Sequence, residues 1–321
     1  MLTYTLRRIA VMIPIMILLS MVVFSLAKMM PGDALSGRID PTNSSPEYIS
    51  AMKEKLGYND PVHIQYLRWM NDILHGDFGN SFIHKMPVSQ LIGLRVYNTL
   101  FLTLLALFFT YIFAFIMGMY AGKHPYTLGD NMIATYNYLG FALPSFFAGL
   151  MAIYLFALKL QWVPASGSIG TGVDVNTIAF YVSKLKHTIL PALVLGMLST
   201  AGYTQFLRND IIESSRKDYV RTARAKGTSE SIIYNKHILR NSIIPIVTFL
   251  GFDIGGLLGG AVITETIFTY PGIGSLFIDS LTNRDYSVVM TITMMLSIMT
   301  LIGNLIADLL YGVVDPRIRL D

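Results

Sequence analysis

Six stretches of this chain are too long and too apolar to be left in water. They run over approximately Ile9–Met29, Tyr97–Gly122, Met132–Leu158, Ile189–Leu207, Ile243–Phe268 and Val288–Val313. About 20 helical residues, at roughly 1.5 Å each, cross the hydrocarbon core of a bilayer. Inside lipid every backbone N–H and C=O must be satisfied within the segment, so the runs predict helices. The chain therefore reads as an all-α integral membrane protein with six transmembrane helices. Its composition agrees: 53% of the 321 residues are hydrophobic and 14% are charged, where soluble domains carry about 25% charge. The first run follows Arg7 and Arg8, as in a signal peptide, but it exceeds the apolar core of one. "SLAKMM" is also a poor cleavage site, so an uncleaved first span is expected.

Charge in the connectors orients these spans. With the amino terminus inside, Arg7, Arg8, Lys123, connector 208–242, Arg317 and Arg319 fall on the cytoplasmic side, leaving Lys184, Lys186 and Arg284 in the short outer loops. The bias predicts both termini in the cytoplasm. It also accounts for the net charge of +4 without nucleic acid, because the basic residues are spread along connectors and form no patch interleaved with aromatics. No cysteine is present, which excludes disulfides and thiolate chemistry.

The chain thus divides into residues 1–29, the cytoplasmic amino end and first span; 30–96, an extracytoplasmic segment; and 97–321, a core with five spans. Segment 30–96 reads as two short amphipathic helices. Ser45 and Pro46 start the first, which stops near Gly57. Asp60 and Pro61 start the second, which stops near Gly76 and places Tyr66, Leu67, Met70, Ile73 and Leu74 along one face. They can pack on the rim of the membrane domain or meet a delivered partner.

Within the spans, Gly118 and Gly122, and then Gly251, Gly255 and Gly259, are spaced four apart and predict close helix crossings. Pro144, followed by Ser145, interrupts the third run and predicts a kink. Asp253, Glu265 and Asp308 lie within or near apolar runs with no intramembrane Lys, Arg or His evident as a partner. A carboxylate at the bilayer centre costs about 2.5–3.5 kcal/mol on insertion scales, so each should face the bundle interior or water. They can line a solute path, form a proton relay, or bond between helices. There is no phosphate-loop motif, zinc pair or nucleophile elbow, and the six histidines lack ligand spacing. No catalytic or metal-binding residue is expected.

Connector 208–242 carries eight Lys and Arg against four acids. A helix starting near Asp218 puts Val220, Ala223 and Gly227 along one side with Arg221 and Arg224 beside it. Gly227 suits its end, and Thr228 or Ser229 can start a second helix. A solvated loop drawn to anionic headgroups is one reading. A face of small residues onto which a partner docks is the other.

The stretch "DYVRTARAKGTSESIIYNKHILRNSIIP" resembles the cytoplasmic loop signature of binding-protein-dependent ATP-binding cassette permeases of the oligopeptide/dipeptide branch. "LRRIAVMIPIMILLSMVVFSLAKMMPGD", "GYNDPVHIQYLRWMNDILHGDFGNS", "LPSFFAGL", "WVPASG", "TETIFTYPGIGSLFIDSLTNRDY" and "DLLYGVVDPRIR" resemble the same branch, in order along the chain. In the general signature, Glu-Ala-Ala, three residues, Gly, nine residues, Ile-x-Leu-Pro, Arg221 stands in place of Glu. "HILR" at 237–240 stands in place of the last four. The resemblance implies the type I ATP-binding cassette importer permease fold in a bacterial inner membrane. It further implies a second homologous permease, two cytoplasmic subunits binding ATP and Mg, and an extracytoplasmic solute-binding protein. This chain itself would carry no cofactor. Peptides are the implied solute, with nickel complexes or another small solute as the alternative. A proton-coupled secondary transporter and a non-transporting membrane scaffold are the readings from other classes. The implied coupling loop comprises Asp218, Tyr219, Val220, Arg221, Thr222, Ala223, Arg224, Ala225, Lys226 and Gly227. Val220, Ala223, Ala225 and Gly227 would form its fitted surface. Pro144, Ser145, Asp253, Glu265 and Asp308 are candidate lining for the path.

Overall fold

A computed structural model describes residues 2–29, 54, 60–175, 177–259 and 261–314. The expected helix from Ser45 to Gly57, and Arg317 and Arg319, lie outside these. Among the described residues the regular structure is helical, apart from an isolated bridge between Asn80 and Pro87. In order come α1 (Leu2–Met29), α2 (Val62–Leu74), α3 (Val88–Lys123), α4 (Leu128–Ala142), α5 (Ser145–Ala152) and α6 (Ile178–Ser214). Then follow α7 (Asp218–Ala225), α8 (Glu230–Ser242), α9 (Ile244–Gly256), α10 (Val262–Ile267), α11 (Ile273–Thr282) and α12 (Tyr286–Val314). Two of them relax into π-helical turns, at Ile153–Lys159 after α5 and at Ile233–Ile238 within α8.

Among the described residues four helices are each long and apolar enough to cross a membrane, and the count reaches up to six if each of two bent pairs is one span. The third expected span is one of those pairs: Leu128–Ala142 and Ser145–Lys159 meet at 106°. Pro144 causes the corner, because its ring excludes the α conformation at the preceding residue, and Leu143 is accordingly extended (φ −79°, ψ 122°). The fifth span differs from expectation. Ile246–Gly256 meets the preceding Glu230–Ser242 at 45°, and the stretch expected to continue to Phe268 breaks after Gly256 and resumes as α10. Gly255, Gly256, Gly259 and Gly260 crowd that point in the sequence, and glycine is about 1 kcal/mol worse than alanine inside a helix. The fourth span begins earlier than expected, so Lys184 lies inside α6 and only 2% exposed. Its ammonium donates to Asn98 of α3 and sits 5.3 Å from the Tyr97 and Tyr270 ring centroids.

The bundle is organised around α3 against α6 and α9 against α12. Gly118 and Gly122 receive Leu207 and Ile211 of α6, and a Cβ on Gly122 would stand 2.7 Å from Ile211 Cβ. Gly255 and Gly303 bring α9 and α12 into backbone contact, since a Cβ on Gly255 would lie 2.8 Å from Gly303 Cα. The four-residue spacing at these positions therefore serves packing. Gly259 approaches only the side chain of Leu296.

At one end of the bundle, α2 lies across α1 and α12. Tyr66 and Trp69 pack on Phe24, and Ser20 Oγ and Tyr66 Oη are 2.8 Å apart. Trp69 takes the inward place assigned to Leu67 from sequence, and Leu67 and Leu74 point outward. Asp60 does not cap α2 but pairs with Arg68 at 2.9 Å. We call this the α2 end and the opposite one the α7 end.

Replacing Gly255 by alanine should overpack the α9–α12 crossing, costing about 1–3 kcal/mol. Alanine at Gly202, where a Cβ meets no described atom within 4 Å beyond its own helix backbone and chain neighbours, should be near neutral. Thermal midpoints of the purified variants check the contrast, and equal midpoints would count against the crossing.

Candidate functional site

The α7 end carries the basic connector, and its local structure follows from its sequence. Lys217 is extended (φ −74°, ψ 153°) and ends α6 geometry, after which Asp218 opens α7, its carboxylate suited to the positive helix end. Gly227 closes it in the left-handed region (φ +79°), donating from its N–H to Arg224 O at 2.9 Å, while Thr228 N donates to Ala223 O at 3.1 Å. Orphan carbonyls of the last turn are thereby satisfied. Ser229 then starts α8, as the sequence suggested.

The two sides of α7 differ sharply. Val220 is fully buried against Leu207 and Ile211 of α6 and Ile233 and Ile238 of α8, with Ala223 packed at the edge. Tyr219, Arg221, Thr222, Ala225, Lys226 and Gly227 are exposed, as is Asp218. Of the four residues expected to form the fitted surface, Val220 instead packs on its own chain, Ala223 is half-buried at the edge, and Ala225 and Gly227 are exposed. The reason is that a valine at the helix's inward position recovers about 1.5–3 kcal/mol on full burial. Arg224 reaches across to Glu230 with both Nε (2.7 Å) and Nη2 (3.2 Å), bracing α7 against α8. That hydrogen bond also pushes the guanidinium pKa above its ordinary value.

The structure scatters the candidate path residues. Pro144 and Ser145 form the α4–α5 corner. Asp308 pairs with Arg8 Nη1 at 3.1 Å, tying α1 to α12 and correcting the sequence reading that left it without a basic partner. Glu265 is fully enclosed and lines no open surface. Its Oε1 accepts from Thr99 Oγ1 (2.6 Å), and its Oε2 accepts from the N–H groups of Gly274 (2.7 Å) and Ser275 (3.0 Å). It thus closes the start of α11, where orphan N–H groups and the helix dipole favour an anion. Asp253 accepts from Tyr111 and, at 2.7 Å, from Tyr203, beside a cavity of about 220 Å³. Among the described residues these acids share no partner.

Two features were missed from sequence. Asp130, 1% exposed, receives a two-pronged hydrogen bond from Arg208 (2.6 and 2.7 Å), locking α4 to the end of α6. The tyrosines around Asp253 are 92 positions apart from each other in the chain, at 111 and 203, and no local pattern links them.

Crossing apolar helices, a cavity between them bordered by a carboxylate, and one exposed, braced loop fit a membrane transport subunit. The chain belongs to the family of binding-protein-dependent transport system inner membrane components, which matches residues 114–320. The amino-terminal region of such membrane components matches residues 1–104. An oligopeptide transport system permease protein, AppB of Bacillus subtilis (strain 168), is 39% identical over 98% of this chain and 99% of its own length. A glutathione transport system permease protein, GsiC of Salmonella paratyphi A, is 33% identical over 99% of both. A di/tripeptide transport system permease protein, DppB of Pseudomonas aeruginosa, is 33% identical over 99% of both. The chain is accordingly an importer permease of the inner membrane.

Truncating Val220 to alanine should loosen α7 without unfolding the bundle. Hydrogen exchange of amides 218–227 should quicken roughly tenfold, the factor for about 1.4 kcal/mol, while α2 is unchanged. Unaltered exchange in 218–227 would show that the burial does not hold the loop.

Proposed function

We propose that this chain is one of two homologous permeases in a peptide importer, and that α7 is its contact with a cytoplasmic ATP-binding subunit. The observation that carries the reading is the two-sidedness of α7. One side is locked to the membrane helices through Val220, and the other offers Ala225, Lys226, Gly227 and Arg221 to a partner. Small residues let a cleft close around the helix, and the basic ones supply polar contacts at its edge.

In this reading, ATP and Mg bind on two partner subunits, which carry out hydrolysis, and this chain is not an enzyme. A solute-binding protein delivers cargo at the α2 end, and both termini lie in the cytoplasm with α7. ATP binding then favours one arrangement of the permease pair by making different contacts with α7 in each. Moving such an equilibrium from 1:99 to 99:1 takes about 5.5 kcal/mol of difference. A freely mobile loop would dissipate that difference in its own motion. Peptides are proposed as cargo because relatives named for oligopeptide and di/tripeptide transport match over nearly the whole chain. A glutathione permease at similar identity has cargo that is itself a small peptide. The division into residues 1–29, 30–96 and 97–321, with coupling connector 208–242, is kept as part of this proposal.

Gly227→Trp tests the coupling role. Its φ of +79° strains a residue with a Cβ, while among the described residues no atom beyond its chain neighbours lies within 4 Å of where that Cβ would stand, so the indole projects into the partner's space. Membrane insertion should persist and ATP-driven uptake should fall more than about tenfold, equivalent to 1.4 kcal/mol. Normal uptake would remove α7 from the coupling path. Because the chain has no cysteine, Ala225→Cys should also crosslink to the ATP-binding subunit, whereas Val220→Cys should not.

A further inference from the structure

Among the described residues neither Asp253 nor Asp285 makes an ion pair; Asp285 is fully buried, its Oδ2 accepting from Ser81 Oγ and Ile83 N, whereas Asp253 borders a cavity. Asp130 has Arg208, Asp308 has Arg8, and Glu265 has three hydrogen-bond donors. Asp253, in the last turn of α9, makes no ion pair among the described residues. Its two oxygens accept from the neutral hydroxyls of Tyr111 and Tyr203, whose ring centroids are 5.3 Å apart. A carboxylate offers roughly four acceptor sites, so these two bonds fix its position and leave capacity unused.

That capacity borders the cavity of about 220 Å³ between α3, α6 and α9. Thr103, Thr110 and Ser199 add hydroxyl groups to its wall, with Phe252 and Leu257 beside them. Thr103 and Thr110 donate their protons to carbonyls of their own helix at 2.8 and 2.9 Å, so their oxygens are left as acceptors. The site is therefore an anion held by tyrosines in a largely apolar cavity, with threonine and serine oxygens on its wall and no cation beside it among the described residues. An ammonium group, with one positive charge and three donors, is its chemical complement.

We propose that this cavity receives the primary ammonium of the solute in transit, the free amino end of a peptide. The volume sets how much of the solute it takes: whole-ligand pockets run to about 300–1,000 Å³, so this one accommodates a terminus while the rest of the peptide lies outside it. The proposal rests on the peptide-import reading and adds to it a reason why the carboxylate is placed in lipid. It also assigns the two tyrosines as positioning residues, which aim the carboxylate without supplying charge.

The test uses the assembled complex in nanodiscs, with a single cysteine introduced as Ser199→Cys on the cavity wall. Trialanine should slow maleimide alkylation of this cysteine, and N-acetyl-trialanine, which lacks the charge, should not. Adding Asp253→Asn should raise the trialanine concentration giving half protection roughly tenfold or more, the factor for a lost charged hydrogen bond. Asp253→Glu should restore protection, which separates charge recognition from a folding defect. Equal protection by both peptides, or protection unaffected by Asp253→Asn, overturns the proposal. Trialanine uptake into ATP-loaded vesicles by the Ser199→Cys complex with no protection overturns the site but leaves peptide import standing. Absence of peptide uptake by the unmodified complex overturns both.

Discussion

The seam between α3 and α6 is the contact on which the other parts of the molecule depend. Between two lipid-embedded helices there is little hydrophobic driving force, so association comes from close van der Waals packing. Here Leu207 and Ile211 fill notches left by Gly118 and Gly122, and Gly196 brings the backbone of α6 against Ala106. The same two side chains form the floor under Val220. The loop proposed to meet a partner is thus built directly onto the pair of helices that hold the bundle together. At the α2 end the seam is tied by Lys184 to Asn98, and Thr99 of α3 reaches Glu265.

Polar groups in the bundle follow from the lack of water around them. Each buried charge must find compensation within the protein, and the compensation differs with position. Near the ends it is an arginine, as at Asp130 and Asp308. At the break before α11 it is a set of N–H donors around Glu265. Beside the cavity it is two phenols, which stabilise a carboxylate without neutralising it. The first three arrangements are fasteners between named helices, and the last leaves a charge facing open space.

Much of the fold was legible in the sequence because lipid imposes a length rule and a spacing rule. The four unbroken spans, the corner at Pro144, the α7 helix and its stop at Gly227 all follow from runs, rings and glycines that act locally. The fifth span was misread because hydropathy counts glycine-rich stretches as apolar, while helix continuity also depends on backbone entropy. Which side of α7 faces inward was not legible, since that is decided by Leu207, Ile211, Ile233 and Ile238 approaching from other elements. The environment of Asp253 was likewise hidden, because Tyr111 and Tyr203 converge on it from separate helices.

The central claim is that α7 moves as one body with α6, carrying the partner's work into the bundle. With no native cysteine, spin labels can be placed singly at Ala225 on α7 and Gln205 on α6 and their separation measured in the assembled complex by pulsed electron resonance. The distance distribution should stay the same between the nucleotide-free and ATP-bound states, even as distances to the second permease change. A separation that shifts or broadens on ATP binding would mean that the loop flexes on its seat, and would contradict the account.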